Sequence, residues 1–431
     1  MRVLALIGRA MLVAFAVLLG LAAAGAAFLG AATVVAAPAL FTLAALVAFA
    51  ATTFGGVAMA TVGLPPVRAT AARRGVTASA VLAVALAGGF TFAQPMTEPY
   101  RGASPVPGAG EWLLPTGSRL AYLRIPAQGT PTPTPIIYLH GGPGAPELGG
   151  DARFFGQLAA DGHDVYLYDQ IGAGLSPRLD DPTGYTVARH VADLEAVRGQ
   201  IGAERVVLIG QSWGSTLAAA YMAAHPGRVE RVVFSSPGPL WLGTLTGGAD
   251  ITSRLTAPQR NRVEALATRP RALLVAVLAQ VNPRAAHALA GDREMDAYLE
   301  GVLSRAAPGA FCDVNTNTTL PTDGTGYYAN RVTVRDARTP GRDPRAALRT
   351  DRTPALVLKG SCDYVAWPYA REYRDTLPNA ALVYLPGAGH KAYYDQPGAY
   401  LAALRAFLRD QPLPTPPYTD AEPPPDYTGA K

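Results

Sequence analysis

The stretch "LIGQSWGSTLAAAYMAAHP", Leu208 to Pro226, joins an apolar strand-like run to an alanine-rich helical one through Gly210-Gln211-Ser212-Trp213-Gly214. Glycine weakens strand and helix alike, so two of them around a serine mark a backbone that must turn tightly. A strand that turns sharply into a helix is the repeating unit of a parallel α/β sheet. That unit recurs on both sides. Short apolar runs at Pro135–His140, Asp164–Asp169, Arg205–Gly210, Arg231–Ser236, Pro354–Gly360 and Ala381–Pro386 read as strands buried on both faces. Helical patterns at Tyr185–Ile201, Trp213–Ala224 and Pro397–Leu408 fall between them. Glu111–Leu114 and Leu120–Pro126 read as an antiparallel hairpin at the sheet edge. The expected fold class is α/β, a mostly parallel doubly wound sheet with helices on both faces. The alternation breaks once, from Pro237 to about Arg352, where helix-like patches such as "APQRNRVEALA" and "DREMDAYLEGVLSRA" replace strands. That segment reads as an inserted helical cap over the carboxyl ends of the strands, where such sheets bind ligands.

A serine on a tight strand-to-helix turn has its hydroxyl exposed above the sheet, the setting of a nucleophile elbow. An ordinary glycine-containing turn needs no partners, whereas a catalytic one needs an acid and then a histidine later in the chain. Of the 6 histidines (His140, His163, His190, His225, His287 and His390), only the last two follow a possible acid in that order. His287 lies mid-cap in an alanine-rich patch. His390 closes "LPGAGH" just after the last strand, so it is the expected base. The acid belongs at the end of the preceding strand, where "PALVLKGSCDYVAWP" offers Asp363 to fix the imidazole tautomer and stabilise the imidazolium. The loop after Arg231–Ser236, "SSPGPLW", holds no carboxylate. Acyl transfer also needs N–H donors for an oxyanion. The expected pair is Trp213, directly after the serine, and Gly142 in the turn His140-Gly141-Gly142-Pro143-Gly144. Pro143 has no N–H, and His140 reads as structural.

Taken in order, "HGGPG", "DQIGAGLS" (Asp169 to Ser176), "GQSWGS", Asp363 and His390 resemble the prolyl aminopeptidase (proline iminopeptidase) branch of the α/β-hydrolase superfamily. The resemblance covers roughly Glu111 to Arg409 and is carried by the ordered combination. It implies an α/β-hydrolase fold with a cap and a serine peptidase that removes N-terminal residues, often proline, from short peptides. It also implies that His140, Gly141, Gly144, Asp169 and Gln170 support the oxyanion turn. The cap departs from the pattern, since Trp241 has no matching Trp-Glu pair to bind a substrate amine. Glu264, Asp292, Glu294, Asp296 and Glu300 are the candidates for that task, with a solvated helix face as the plain alternative. A carboxylesterase or lipase on the same fold, and a non-catalytic binding domain, are the competing readings. The substrate partner is a small peptide or an ester.

The front of the chain is different. No charged residue occurs from Ala10 to Val67, long enough for two spans of about 20 residues each, with a break around Gly30 to Pro38. "RATAARRG" (Arg68 to Gly75) then reads as a loop, and Val76 to Thr97 as a third, weaker span or a core helix. Arg2 and Arg9 precede the first span and Arg68, Arg73 and Arg74 the third, which puts that side in the cytoplasm. The expectation is a protein of the cytoplasmic membrane, in contact with lipid, whose catalytic domain is extracytoplasmic. Cleavage of a leader after Ala93 is the alternative. The domains are then 1–94 (about three transmembrane helices), 95–110 (a linker), 111–410 (the catalytic domain, cap about 237–352) and 411–431 (a Pro-rich tail, extended or disordered). The net charge of +5 is scattered arginine without an aromatic-interleaved basic run, so no nucleic-acid partner is expected. Cys312 and Cys362 lie in no metal-ligand spacing, and no metal or cofactor is expected. Outside the cytoplasm the two cysteines would pair; two buried thiols are the other reading.

Overall fold

The structure, a computed structural model, describes residues 2–244, 250–316, 320–339 and 343–431; parts of the expected cap, 245–249, 317–319 and 340–342, lie outside the described residues. The chain forms two compact units, Met1–Thr97 with Thr268–Gly291, and Glu98–Ala267 with Asp292–Lys431.

The first unit is built on α1 (Arg2–Val34), α2 (Pro38–Ala60) and α3 (Pro66–Gly88), which runs on through a π-helical turn, Gly89–Ala93. All three are long and apolar enough to cross a membrane. Prolines sit at the first turns of α2 and α3, where a missing N–H costs nothing. Small residues bring α1 and α2 together: a Cβ on Gly20 would press on Phe49 and Thr53, and one on Gly56 would collide with Ala16. Arg68, Arg73 and Arg74 were expected in a loop, but they lie on α3 itself. Alanine neighbours favour the helix strongly enough to carry it through the charges. Arg73 reaches Thr61 Oγ1 at 2.9 Å and Arg9 reaches the Val62 carbonyl at 3.3 Å, so both gather at one end of α2. Two helices from the stretch read as cap, α8 (Pro270–Val281) and α9 (Pro283–Leu289), belong to this unit. Arg271 donates to the carbonyls of Phe92 and Leu289 (2.6 and 2.9 Å), and Asn282 donates to that of Ala32 (2.9 Å).

The second unit holds an eight-stranded sheet in the order β1-β2-β4-β3-β5-β6-β7-β8. Its strands are β1 (Gly110–Leu113), β2 (Arg119–Ile125), β3 (Ile136–Leu139), β4 (Val165–Tyr168), β5 (Val206–Gln211), β6 (Val229–Ser235), β7 (Ala355–Gly360) and β8 (Ala380–Leu385). β2 pairs antiparallel with β1 and β4; every other pairing is parallel. Alternation explains why the central strands are apolar throughout. Ile136, Tyr138, Val207, Ile209 and Leu356 face a core completed by α4 (Leu148–Phe155) and α15 (Pro397–Leu408). The other parity packs against α5 (Val187–Gln200), α6 (Trp213–Ala224) and α13 (Trp367–Thr376), where Phe234 meets Tyr373 with ring centroids 4.5 Å apart. Each fully buried aliphatic side chain contributes about 1.5–3 kcal/mol.

Between β6 and β7 the second unit carries α7 (Ala257–Ala267), α10 (Asp292–Ala306), α11 (Tyr327–Ala337) and the short α12 (Arg345–Leu348). Cys312 and Cys362 form a disulfide with their Cα atoms 5.2 Å apart. The C-terminal tail, expected to be extended or disordered, has neither helix nor strand over 411–431 but is docked. Tyr418 N–H bonds the Leu382 carbonyl (2.7 Å), Tyr418 and Tyr427 pack on Trp367, and Ala430 N–H bonds the Asp363 carbonyl (3.0 Å). Its few aromatic residues supply the anchors that the prolines cannot.

Candidate active site

β5 ends and α6 begins on either side of Ser212, whose backbone has φ 54° and ψ −117°. A non-glycine residue rarely adopts a positive φ, and such strain gathers at functional sites. Its neighbours leave no other path. A Cβ on Gly210 would strike the Gly214 carbonyl, and one on Gly214 would strike that of Leu139. Ser212 N–H donates to the Ser235 carbonyl at 2.9 Å, and Ser215 Oγ donates to that of Gly210 at 2.7 Å. Trp213 is the first residue of α6, where backbone N–H groups have no partner within the helix.

The turn after β3 lies against this serine. A Cβ on Gly141 would come within 3.2 Å of the Ser212 Cβ. Gly142 (φ 116°) and Gly144 (φ 72°) have conformations that favour glycine, and the Gly142–Pro143 bond is cis. Gln170 joins the turn to α6: its N–H donates to His140 Nε2 and its side-chain amide to the His140 carbonyl. Its Oε1 accepts Trp213 Nε1–H; all three bonds are 3.0 Å. The His140 proton is therefore on Nδ1, which donates to the Gly141 carbonyl at 2.9 Å. Burial, with a smaller contribution from Lys391, lowers the pKa of His140 to about 4, so the ring is neutral at pH 7. Asp169, expected to buttress the same turn, instead holds its own loop through Leu175 N–H (2.8 Å). Burial pushes that carboxyl up to about 7.

His390 follows β8 and its Nδ1 lies 2.8 Å from Asp363 Oδ1. Sequence reading missed what holds the acid. Lys359, fully buried at the end of β7, donates to Asp363 Oδ2 at 2.7 Å, and Val365 N–H donates to Oδ1 at 3.0 Å. Burial raises the Asp363 pKa, but Lys359 and His390 outweigh it and hold the carboxyl below its ordinary range. A lysine at the end of a strand gave no signal apart from its position four residues before the acid. Asp395 braces the loop before His390, accepting Gly389 N–H (2.7 Å) and Cys312 N–H (3.0 Å) on one oxygen.

Ser212, His390, Gly141 and Gly142 line one cavity of about 520 Å³. None of the five cap carboxylates picked from sequence lines it. Asp296 is spent on Arg178 (2.9 Å) and Tyr327 N–H (2.8 Å), and Glu300 on the N–H groups of Arg101 and Gly324 (3.2 and 2.8 Å). Two other carboxylates do line it. Glu147 is paired with Lys391 at 2.9 Å; Asp250 caps a short 3₁₀ turn with Oδ1 and is exposed. Neither stands out in sequence, since Glu147 follows the glycine turn and Asp250 precedes no regular pattern.

Asp363→Asn would strand the Lys359 ammonium in the interior, so it is expected to cost about 3–5 kcal/mol of stability besides lowering kcat. Adding Lys359→Met removes the stranded charge. Thermal unfolding of the double variant should recover most of that loss, while kcat on a p-nitrophenyl ester stays several orders of magnitude down. A double variant that regains kcat with its stability would give Asp363 a structural role alone.

Residues 134–397, well over half of the chain, match the family described as alpha/beta hydrolase fold. Proline iminopeptidase from Levilactobacillus brevis is 29% identical over 305 residues, covering 69% of this chain and 96% of that protein. Proline iminopeptidase from Heyndrickxia coagulans is 42% identical over 132 residues, 29% of this chain and 43% of its own length. The solved structure of the Mycobacterium smegmatis proline iminopeptidase aligns at 21% identity with a TM-score of 0.46, over 70% of this chain and 98% of that one. The chain belongs to the alpha/beta hydrolase fold family and is related to proline iminopeptidases.

Proposed function

We propose that this protein is a membrane-anchored serine aminopeptidase that releases N-terminal residues, of the proline type, from peptides. The strained Ser212, sharing a cavity with a His390 whose ring bonds the buried Asp363, is the observation that carries this reading. Ser212 Oγ attacks the scissile carbonyl and His390 Nε2 takes its proton, since Nδ1–H is committed to Asp363. The N–H groups of Gly142 and Trp213 receive the oxyanion. His390 then returns the proton to the leaving amine, and water hydrolyses the acyl-serine. Of the two carboxylates in the cavity, Glu147 is taken by Lys391, which leaves Asp250 for the substrate's free amine.

An esterase is the second reading, favoured by the cavity's apolar wall of Ile251, Leu299, Val302, Leu303 and Ala307. A panel of prolyl-naphthylamide, its N-blocked form and p-nitrophenyl esters separates the two. Blocking the amine should lower kcat/KM by about 10- to 100-fold, and Asp250→Asn should cost as much on the free amine alone. Equal turnover of the blocked substrate would favour the esterase.

For topology, the arginines gathered where α1 and α3 begin and α2 ends support a cytoplasmic face there, with the hydrolase unit outside. A disulfide fits the oxidising side. A phosphatase fused at Gly110 should be active, and an inactive fusion with a working cytoplasmic reporter would reverse the orientation.

A further inference from the structure

The membrane unit carries a half-open apolar groove of about 440 Å³ at the end of the spans away from Arg9 and Arg73. Sites that take small molecules run from about 300 to 1,000 Å³. Phe28, Phe41, Leu46 and Val84 from the spans line it, together with Leu274 and Leu289 from the α8–α9 hairpin. Thr42 is its only lining side chain with a polar atom, among the described residues. Water gains little in such a space, since it needs two to four polar partners. Every span residue that lines the groove falls within a stretch able to cross the membrane. The solvent there is hydrocarbon, and packing that leaves a void forfeits dispersion contacts. Small residues keep the space open: a Cβ on Gly25, Gly88 or Gly89 would meet nothing within 4 Å.

The hairpin carries the same signature on its outside. Leu273 and Val277, one helical turn apart on α8, are 51% and 47% exposed. Arg271 clamps α8 to the Phe92 carbonyl at the end of the third span, so this apolar face continues the lipid-facing surface of the spans.

We propose that this groove is a binding site for one acyl chain of a bilayer phospholipid, walled on one side by the α8–α9 hairpin. The site belongs to the membrane unit and requires no particular hydrolase chemistry. A segment inserted between two strands of the hydrolase sheet thereby forms part of a lipid site.

The test uses the full chain in phosphatidylcholine vesicles that contain phosphatidylcholine with a mid-chain diazirine. After photolysis, adducts are mapped by peptide mass spectrometry. Residues Leu46, Leu274 and Leu289 should be labelled at least fivefold more densely than the outward-facing Leu18 and Leu43. Gly25→Leu with Ala45→Leu, which grows into open space, should cut groove adducts at least fivefold and leave those on Leu18 and Leu43 unchanged. Groove labelling no denser than on the outer faces, or unchanged by the double variant, would overturn the site and reduce it to annular lipid. Adducts displaced by a soluble prolyl peptide or p-nitrophenyl ester would assign the space to the hydrolase's substrate and overturn it equally. Spans without any adduct would overturn the membrane reading along with the site.

Discussion

The left-handed backbone at Ser212 is the constraint on which the rest of the hydrolase unit depends. Holding a non-glycine residue there costs about 1–3 kcal/mol, so the surroundings must over-determine it. They do so from three directions. The Ser212 N–H is tied to β6 through the Ser235 carbonyl, its own carbonyl accepts Ser215 and Gly238 N–H, and Ser215 Oγ locks the carbonyl of Gly210. Gly210 and Gly214 let β5, α6 and the end of β3 pass within touching distance. Gly141 brings the glycine-rich turn after β3 to the serine, and that turn is held in its place by Gly326 N–H on the Gly144 carbonyl and by Asn330 on the Pro143 carbonyl. Tight local geometry at one serine thus fixes the order in which a strand, a helix, a turn and a cap helix can stack.

A second constraint is the charge buried under the candidate base. Lys359 and Asp363 are both fully buried, an arrangement that is costly to desolvate and more costly to break. Asp363 has each oxygen assigned: one to Lys359, the other to His390 and Val365 N–H. The loops on either side are braced to the same place. Cys362 is bonded to Cys312, Cys312 N–H and Gly389 N–H share one oxygen of Asp395, and the tail caps the acid loop through Ala430 N–H. Asp363 and His390 are thereby held in one fixed geometry, which is what the proposed catalysis needs for orientation to contribute to rate.

Much of this was legible in the residues, and the misses have physical causes. Strand parity and the elbow gave the sheet, because period and turn chemistry are local properties. Chain order gave Asp363 and His390 as candidates, and the structure brings them into hydrogen-bond contact. What sequence did not show depends on long-range pairing. Asp296 and Glu300 looked like exposed cap carboxylates until Arg178 and two loop N–H groups were seen to occupy them. Lys359 looked like a strand end because nothing local marks a buried ion pair. Helices α8 and α9 looked like cap because apolar periodicity does not say which core a helix joins. The arginines of α3 looked like a loop because charge was weighed above alanine's helix propensity, and the tail's order came from two tyrosines among many prolines.

The most direct test of Ser212 as the nucleophile is to treat the full chain with a fluorophosphonate and locate the adduct by intact-mass and peptide mass spectrometry. One adduct per chain, on Ser212 and absent from a Ser212→Ala variant that unfolds at the parent temperature, is the expected result. An adduct on another residue, or labelling that persists in that variant, would contradict it.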